Sequence, residues 1–301
     1  MLKAEITTDV ARCLVNSQFP KWSSLPIRRV DLDGWDNTTF RLGDHMSIRL
    51  PSAEGYVPQI DKEHRWLPVL APYLPLPIPR PLAIGVPGCS YPRPWSVYGW
   101  IDGSVATKDQ IGNIEEFAED LAGFLTALYS VPSRGGPPAG DQSFNRGGPV
   151  GHWDEQTLGA ISAMSDVIDA DRAKEVWAAA TDSAWTGELV WVHGDVSPSN
   201  LLATDGKLSG VLDFGCCAVG DPACDLTIAW TFFDRTAAAR FRTLLSLDSA
   251  TWDRARGWAL WKAAITHVGA LMNHRDPEQA GVGFGWARSP RQVIEEVLTA
   301  P

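Results

Sequence analysis

The chain has 301 residues, 45% hydrophobic and 21% charged. That is ordinary globular usage, and enough chain for one large domain or two lobes. A formal net charge of -10 repels phosphate backbones and argues against a nucleic-acid partner. No apolar run reaches the length of a membrane span, and the start, MLKAEITTDV, lacks the basic-then-apolar order of a secretion signal, so a cytoplasmic protein without a membrane partner is expected. The five cysteines, Cys13, Cys89, Cys216, Cys217 and Cys224, form no C-x-x-C pair, and the expectation is reduced, mostly buried thiols.

In chain order, residues 7–18 read as a short helix entered through Thr8 and Asp9. Residues 27–34 and 37–51 read as strands, with Gly34 and Gly43-Asp44 as turns. Residues 56–74 form a helix with Ile60, Trp66, Leu67 and Leu70 toward one side. The Pro-dense stretch 73–82 cannot be helical throughout. Two more strands follow at 81–87 and 94–101, which makes the first hundred or so residues strands around one helix. Past Ile101-Asp102-Gly103 the pattern turns helical. Ile114, Phe117, Leu121, Leu125 and Leu128 share a face, and a long Gly/Pro-rich loop at 133–148 is either functional or mobile. Helix is expected from 154 to 182, short strands at 188–195 and 207–215, and mostly helix beyond. Asp221-Pro222 supplies a helix start. The expected domains are 1–101 and 102–301.

Two polar clusters end apolar runs: His193-Gly194-Asp195 with Asn200, and Asp213-Phe214-Gly215. The Asp195 carboxylate is suited to accept a proton from an attacking hydroxyl. Carboxylate and amide oxygens at Asp213 and Asn200 suit Mg²⁺, a hard cation that keeps water and phosphate oxygens as its other ligands. Asp-x-x-x-x-Asn followed by Asp-Phe-Gly is the arrangement used for phosphoryl transfer. Singly, each of these residues reads as a turn former; their order and spacing together carry the assignment. Two adjoining strand ends are expected to present them.

The segments VHGDVSPSNLL, GVLDFG and GDPACDLTIAW resemble the aminoglycoside phosphotransferase family of kinase-like enzymes. The resemblance is strongest over residues 189–232 and extends loosely to MSIRLP, DKEHRWLPVLAPYLPLPIPRP and PWSVYGWIDG. It implies an α+β, two-lobed protein-kinase-like fold, with a small N-terminal antiparallel-sheet lobe and a larger, mainly helical C-terminal lobe. ATP, with GTP as the other candidate, would lie between the lobes with Mg²⁺ on Asn200 and Asp213. Asp195 would be the catalytic base, His193 a brace of its loop, and Asp225 a stabiliser of that loop or simply a first-turn acid. The position of the expected phosphate-binding Lys is Arg49, with Glu63 as its helix partner. That exchange is not neutral, because a flat fork replaces a point charge. The phosphate-covering turn is Gly34-Trp35-Asp36-Asn37-Thr38, where Asn37 and Thr38 would face phosphate; an ordinary hairpin turn is the competing reading. Adenine would pack on the segment that includes Val97, Tyr98 and Gly99. Where the family often carries His two positions after the base, this chain has Ser197.

The acceptor is expected to be a small-molecule hydroxyl compound: an aminoglycoside, another antibiotic, or a metabolic sugar or amino alcohol. Asp154, Glu155, Asp234, Asp276 and Glu278 are the carboxylates available to face a polyamine. A degenerate nucleotide-binding module and a metal-dependent hydrolase are the competing classes. The oligomeric state is not legible in the sequence.

Overall fold

The computed structural model describes residues 2–30, 34 and 36–299. The chain divides into two compact units, residues 1–72 with 77–102 and 213–215, and residues 73–76 with 103–212 and 216–301.

In the first unit, α1 (Thr8–Gln18) is capped by Thr7, whose side chain accepts from Val10 N. Then follow β1 (Ile27–Arg29), β2 (Asn37–Leu42), β3 (Met46–Pro51), α2 (Pro58–Leu70), β4 (Pro81–Gly85) and β5 (Trp95–Gly99). The strands form one antiparallel sheet in the order β1-β2-β3-β5-β4, so β5 is internal. Period-two alternation sends Phe40, Leu42, Ile48, Leu50, Trp95 and Val97 into a core shared with Ile6, Leu14 and Val15 of the N-terminal segment. On α2 the buried set is Gln59, Ile60, Lys62, Glu63, Leu67 and Leu70. Trp66, expected on that face, is only half-buried. Polar Gln59, Lys62 and Glu63, at i, i+3 and i+4, take its place on the inner stripe. The strand expected at 27–34 covers Ile27–Arg29, and Asp31 to Asp33 lie outside the described residues.

The cysteine expectation is corrected here. Cys13 on α1 and Cys89, in the turn between β4 and β5, form a disulfide across 76 residues; Cys216, Cys217 and Cys224 are free. Packing of α1 on the sheet core brings the two together, a proximity that local spacing cannot reveal. A bond closing so long a loop restricts the unfolded chain strongly. Cys13→Ser is therefore expected to cost about 2–4 kcal/mol in the oxidised protein. Urea unfolding of the variant against oxidised and dithiothreitol-treated wild type checks this, and the reduced wild type should match the variant.

The second unit holds β6 (Ser104–Val105), α3 (Ile114–Tyr129), α4 (Asp154–Ala163), α5 (Ala170–Asp182), β7 (Val190–Val192), β8 (Leu201–Thr204), β9 (Lys207–Val211), β10 (Ala218–Gly220), α6 (Ile228–Thr231), α7 (Arg235–Leu245), α8 (Ser249–Met272) and α9 (Pro290–Thr299). Asn113 caps α3 through Glu115 N and Glu116 N, and the helix buries Phe117, Leu121, Phe124, Leu125 and Leu128. The expected start at Asp221 is realised as a 3-10 turn, Pro222–Thr227, capped by the Asp221 side chain. That carboxylate also takes Arg254 Nε of α8 at 2.6 Å, and both side chains are buried. Strand β7 pairs with β10, whereas β9 pairs with β8 in a separate three-stranded sheet. The two apolar runs that carry the polar clusters are thus not neighbouring strands of one sheet. Among the described residues no helix is long and apolar enough to cross a membrane.

Candidate active site

The loop after β7 is laced to the end of β9 by side chains and backbone. His193 is fully buried. Its Nε2 lies 2.8 Å from Leu212 O, and its Nδ1 accepts from Asp195 N at 3.2 Å. This pattern fits the Nε2–H tautomer, with Nδ1 as acceptor. Leu212 N in turn donates to Asn200 O at 2.7 Å. Leu212, the residue before Asp213, is therefore tied to both the His193 and the Asn200 segments. These bonds do the work that shared strand pairing was expected to do.

Asp225 braces the same loop. It is fully buried, and its two oxygens accept His193 N at 2.9 Å and Gly194 N at 2.7 Å. Burial pushes its carboxyl above the usual range, while His193 and these N–H groups pull the other way. Gly194 is required between them. Its φ is +84°, and a Cβ there would lie 2.5 Å from Cys216 O.

Asp195 is held at both oxygens. Lys262 Nζ of α8 donates to Oδ1 at 2.7 Å, and Asn200 Nδ2 donates to Oδ2 at 3.2 Å and to the Asp195 backbone oxygen at 3.0 Å. The Asp195 side chain keeps 32% of its surface exposed, against 12% for Lys262, so its carboxylate stays reachable. Burial raises the carboxyl pKa, but Lys262, Arg146 and the Lys262 hydrogen bond outweigh it and bring the value down to about 2. With its amide nitrogen committed to Asp195, Asn200 has Oδ1 left for another partner.

The first unit assembles a second cluster. Arg49 of β3 reaches Glu63 of α2 through Nη1 at 3.3 Å and Asp213 Oδ1 through Nη2 at 3.2 Å. Burial works against the Arg49 charge, but Glu63 and Asp213 hold its pKa above the ordinary value. The Tyr98 hydroxyl donates to Glu63 Oε2. Burial and Glu63 push that phenol well up. Asp213 has φ of +60°, a conformation a non-glycine residue rarely holds without a local reason. Gly215 is seated by α2, where Lys62 Nζ donates to Gly215 O at 2.6 Å. Asp213 Oδ2 accepts no hydrogen bond among the described residues, which leaves it open.

The remaining residues named from the sequence are placed by the fold as follows. Thr38 is inaccessible and its Oγ1 has no hydrogen-bond partner among the described residues, while Asn37 is 7% exposed. Thr38 shares the core face of β2 with Phe40 and Leu42, whereas Asn37 lies on the opposite face with Thr39, the partner of Arg49. Trp35 of the same turn lies outside the described residues. Val97, Tyr98 and Gly99 are inside the ladder. Gly99 N donates to Arg80 O and Trp100 N to His45 O, so backbone groups of this strand are largely committed to the sheet. Tyr98 instead takes part through its hydroxyl. Of the carboxylates available for a polyamine, Asp154 accepts from Trp177 Nε1, Asp234 caps α7 and Asp276 caps the turn at Glu278.

Lys262 and Arg146, the two cations that act on Asp195, were not singled out by the sequence. Lys262 is 67 positions from Asp195, although it is the only Lys, Arg, Asp or Glu between Gly257 and Met272, a mark of a side chain with a partner. Ser197, in the position where the family often has His, donates to Phe284 O at 2.7 Å and so ties the loop to the segment before α9.

A small antiparallel sheet unit and a mainly helical unit, with these loops, define a kinase-like phosphotransferase fold. The phosphotransferase enzyme family matches residues 27–258, and the chain belongs to that family. Among curated relatives, an aminoglycoside 3'-phosphotransferase of Escherichia coli is 34% identical over 139 residues, 41% of this chain and 45% of that protein. Another from Salmonella typhimurium is 29% identical over 129 residues, 38% of this chain and 43% of that one. The matches thus span less than half the length of these relatives. Among solved structures, the GDP complex of aminoglycoside 2'-phosphotransferase-IIIa superposes with a TM-score of 0.68 at 18% identity, covering 96% of this chain and 97% of that one. Macrolide 2'-phosphotransferase MphH from Brachybacterium faecium does so with 0.62 at 21%, covering 92% and 98%.

Proposed function

We propose that this protein transfers the γ-phosphoryl group of ATP or GTP to a hydroxyl group of a small molecule in the cytoplasm. The observation that carries the reading is the Asp195 carboxylate, held in one orientation by Lys262 and Asn200 yet still exposed. Family membership and the relatives' printed activities support it. Solved neighbours were crystallised with GDP and with streptomycin and ATP, which is why both nucleotides are retained.

The residues present fit Mg²⁺. Asn200 Oδ1 and Asp213 Oδ2 are hard oxygen atoms with no hydrogen-bond partner among the described residues; with phosphate oxygens and water they would hold the ion. Bound there, the ion would offset charge on the nucleotide's phosphates. Among the described residues no group of three His, Cys, Asp or Glu side chains converges, so the set suits an ion shared with a nucleotide better than a self-sufficient hydrolytic centre. Arg49, fixed by Glu63, presents its guanidinium to phosphate. Adenine would meet backbone groups at or past Gly99 that are not in the ladder, because Gly99 N and Trp100 N are already bonded.

Asp195 accepts a hydrogen bond from the acceptor hydroxyl and aims its oxygen. With a pKa near 2 it is a weak base. Orientation is then its main contribution, and the proton passes to it only as the new O–P bond forms. The intact Arg49–Glu63–Asp213 set argues against a degenerate binding module. ADP or GDP release should be measured with aminoglycosides, macrolides and simple amino alcohols, with Asp195→Ala alongside. Release that requires an acceptor and disappears in the variant is the expected result. Phosphate release independent of any acceptor would favour the hydrolase instead.

A further inference from the structure

Helix α2 turns three polar side chains, Gln59, Lys62 and Glu63, toward the interior, and each is at most 8% exposed. Each reaches a different part of the first unit. Gln59 Nε2 donates to Asp36 Oδ2 at 3.0 Å, just ahead of β2. Glu63 holds Arg49. Lys62 Nζ donates to Gly215 O at 2.6 Å, across 153 residues of chain. Residues 213–215 belong to the first unit, while the chain on either side of them belongs to the second. Lys62, through Gly215 O, and Arg49, through Asp213 Oδ1, hold them there.

These bonds decide how Asp213 is presented. Its φ is +60°, and its Oδ1 accepts from Arg49 Nη2 at 3.2 Å and from Gly215 N at 3.4 Å. Oδ2 is then the oxygen left to face an ion. Which oxygen is left depends on where the Gly215 backbone stands, and α2 sets that. A Cβ on Gly215 would lie 2.7 Å from Gln59 Cδ, so this backbone lies directly against the helix. The Lys62 bond then fixes its carbonyl. A lysine is seldom buried this far, because stripping water from an ammonium is costly. Methionine would occupy the same place on the stripe without that cost. What Lys62 adds is a charged donor at the Gly215 carbonyl.

We infer that Lys62 is a positioning residue for metal-dependent nucleotide binding: from α2 it fixes the Gly215 backbone and, through it, the Asp213 carboxylate. That role rests on the phosphotransferase reading above and on Asp213 as a Mg²⁺ ligand. Lys62 acts through Asp213, not by contact with the nucleotide. Arg49 keeps Glu63 whether or not Lys62 is present, so contact with phosphate survives its loss. Lys62 supports the part of the affinity that Mg²⁺ adds, a coupling between ion and nucleotide.

The test needs no turnover. N-methylanthraniloyl-ADP and the corresponding GDP probe are titrated into the full-length protein, in Mg²⁺ and in EDTA. Wild type, Lys62→Met, Lys62→Gln and Lys62→Arg are compared, each with its folding checked by urea unfolding. In wild type Mg²⁺ should tighten the better-bound probe by about tenfold or more. Lys62→Met should lose nearly all of that gain and Lys62→Gln should cut it by about threefold or more, as loss of a charge-assisted hydrogen bond does. Metal-free affinity should stay within about twofold, since Arg49 carries it. Lys62→Arg, which keeps a cationic donor, should retain most of the gain. A lysine that served stability alone would lower the urea midpoint and leave the metal gain as in wild type. An unchanged gain in a folded Lys62→Met or Lys62→Gln therefore overturns the positioning role. A wild type indifferent to Mg²⁺ overturns the metal assignment beneath it. Acceptor-dependent transfer is scored in the separate release assay, so either result can fail alone.

Discussion

Replacing Asp195 by Ala is expected to lower the turnover number by about 10³-fold, within the range that a positioned base contributes, and to leave nucleotide affinity nearly unchanged. The carboxylate is the exposed end of a braced unit. Asp225 fixes the backbone of His193 and Gly194, His193 fixes Asp195 N, and Lys262 and Asn200 fix the two oxygens. Of the proposed nucleotide and Mg²⁺ residues only Asn200 enters these contacts, through Nδ2 and not Oδ1, so nucleotide binding should largely survive. Steady-state release of nucleoside diphosphate and a fluorescent-nucleotide titration check the two halves. Near-normal turnover in the variant would remove Asp195 from the role of base. The direction of its pKa sets a companion expectation. The folded value, about 2, lies below the ordinary carboxylate value of about 3.9. Asp195 therefore adds stability above about pH 4 and loses that contribution as pH falls toward its folded pKa. Between pH 5 and 9, roughly, it stays ionised, and an acid limb of the rate profile in that range would have to belong to another group.

Arg49→Met should be the most damaging change in the first unit, at about 3–5 kcal/mol, because it strands a partner carboxylate in the interior. Glu63 is 2% exposed, and without Arg49 its remaining described side-chain contact is the Tyr98 hydroxyl. Asp213 also loses the hydrogen bond from Nη2, and MgATP affinity should fall with it. Arg49→Lys separates charge from shape. Arg49 reaches Glu63 with one terminal nitrogen and Asp213 with the other, and a single ammonium cannot copy that span. The Lys variant should keep the Glu63 ion pair, lose about 1–2 kcal/mol of stability, and bind MgATP less well than wild type. Urea unfolding and nucleotide titration of both variants decide this. A Lys variant that binds MgATP more tightly would show that Arg49 is a handicap inherited with the site and not a fitted replacement.

Secondary structure was legible where periodicity was strong. The α3 stripe and the β2–β3 hairpin around Gly43-Asp44 follow directly from spacing and turn chemistry. The strand after Asn200, β8, was not picked out, because four residues next to a polar loop carry too little pattern. Asp195, Asn200 and Asp213 stood out because oxygen-bearing side chains at short, fixed separations at the ends of apolar runs are the pattern that phosphoryl chemistry requires. The Arg49–Glu63 pairing could be anticipated from sequence only through family resemblance; its bridge to Asp213 is a property of the fold.

What the sequence carried by itself is the order and spacing of Asp195, Asn200 and Asp213 at the ends of apolar runs, and through them the resemblance that implied the kinase-like fold. What the tertiary structure decided is the surroundings of these residues. The partner of Asp195 comes from 67 residues downstream on α8, Arg146 arrives on the 133–148 loop, Thr38 turns inward with its strand, and Cys13 finds Cys89 across 76 residues. Each of these depends on which faces pack together. Long-range packing is set by the summed burial of many side chains, which no short stretch of chain records.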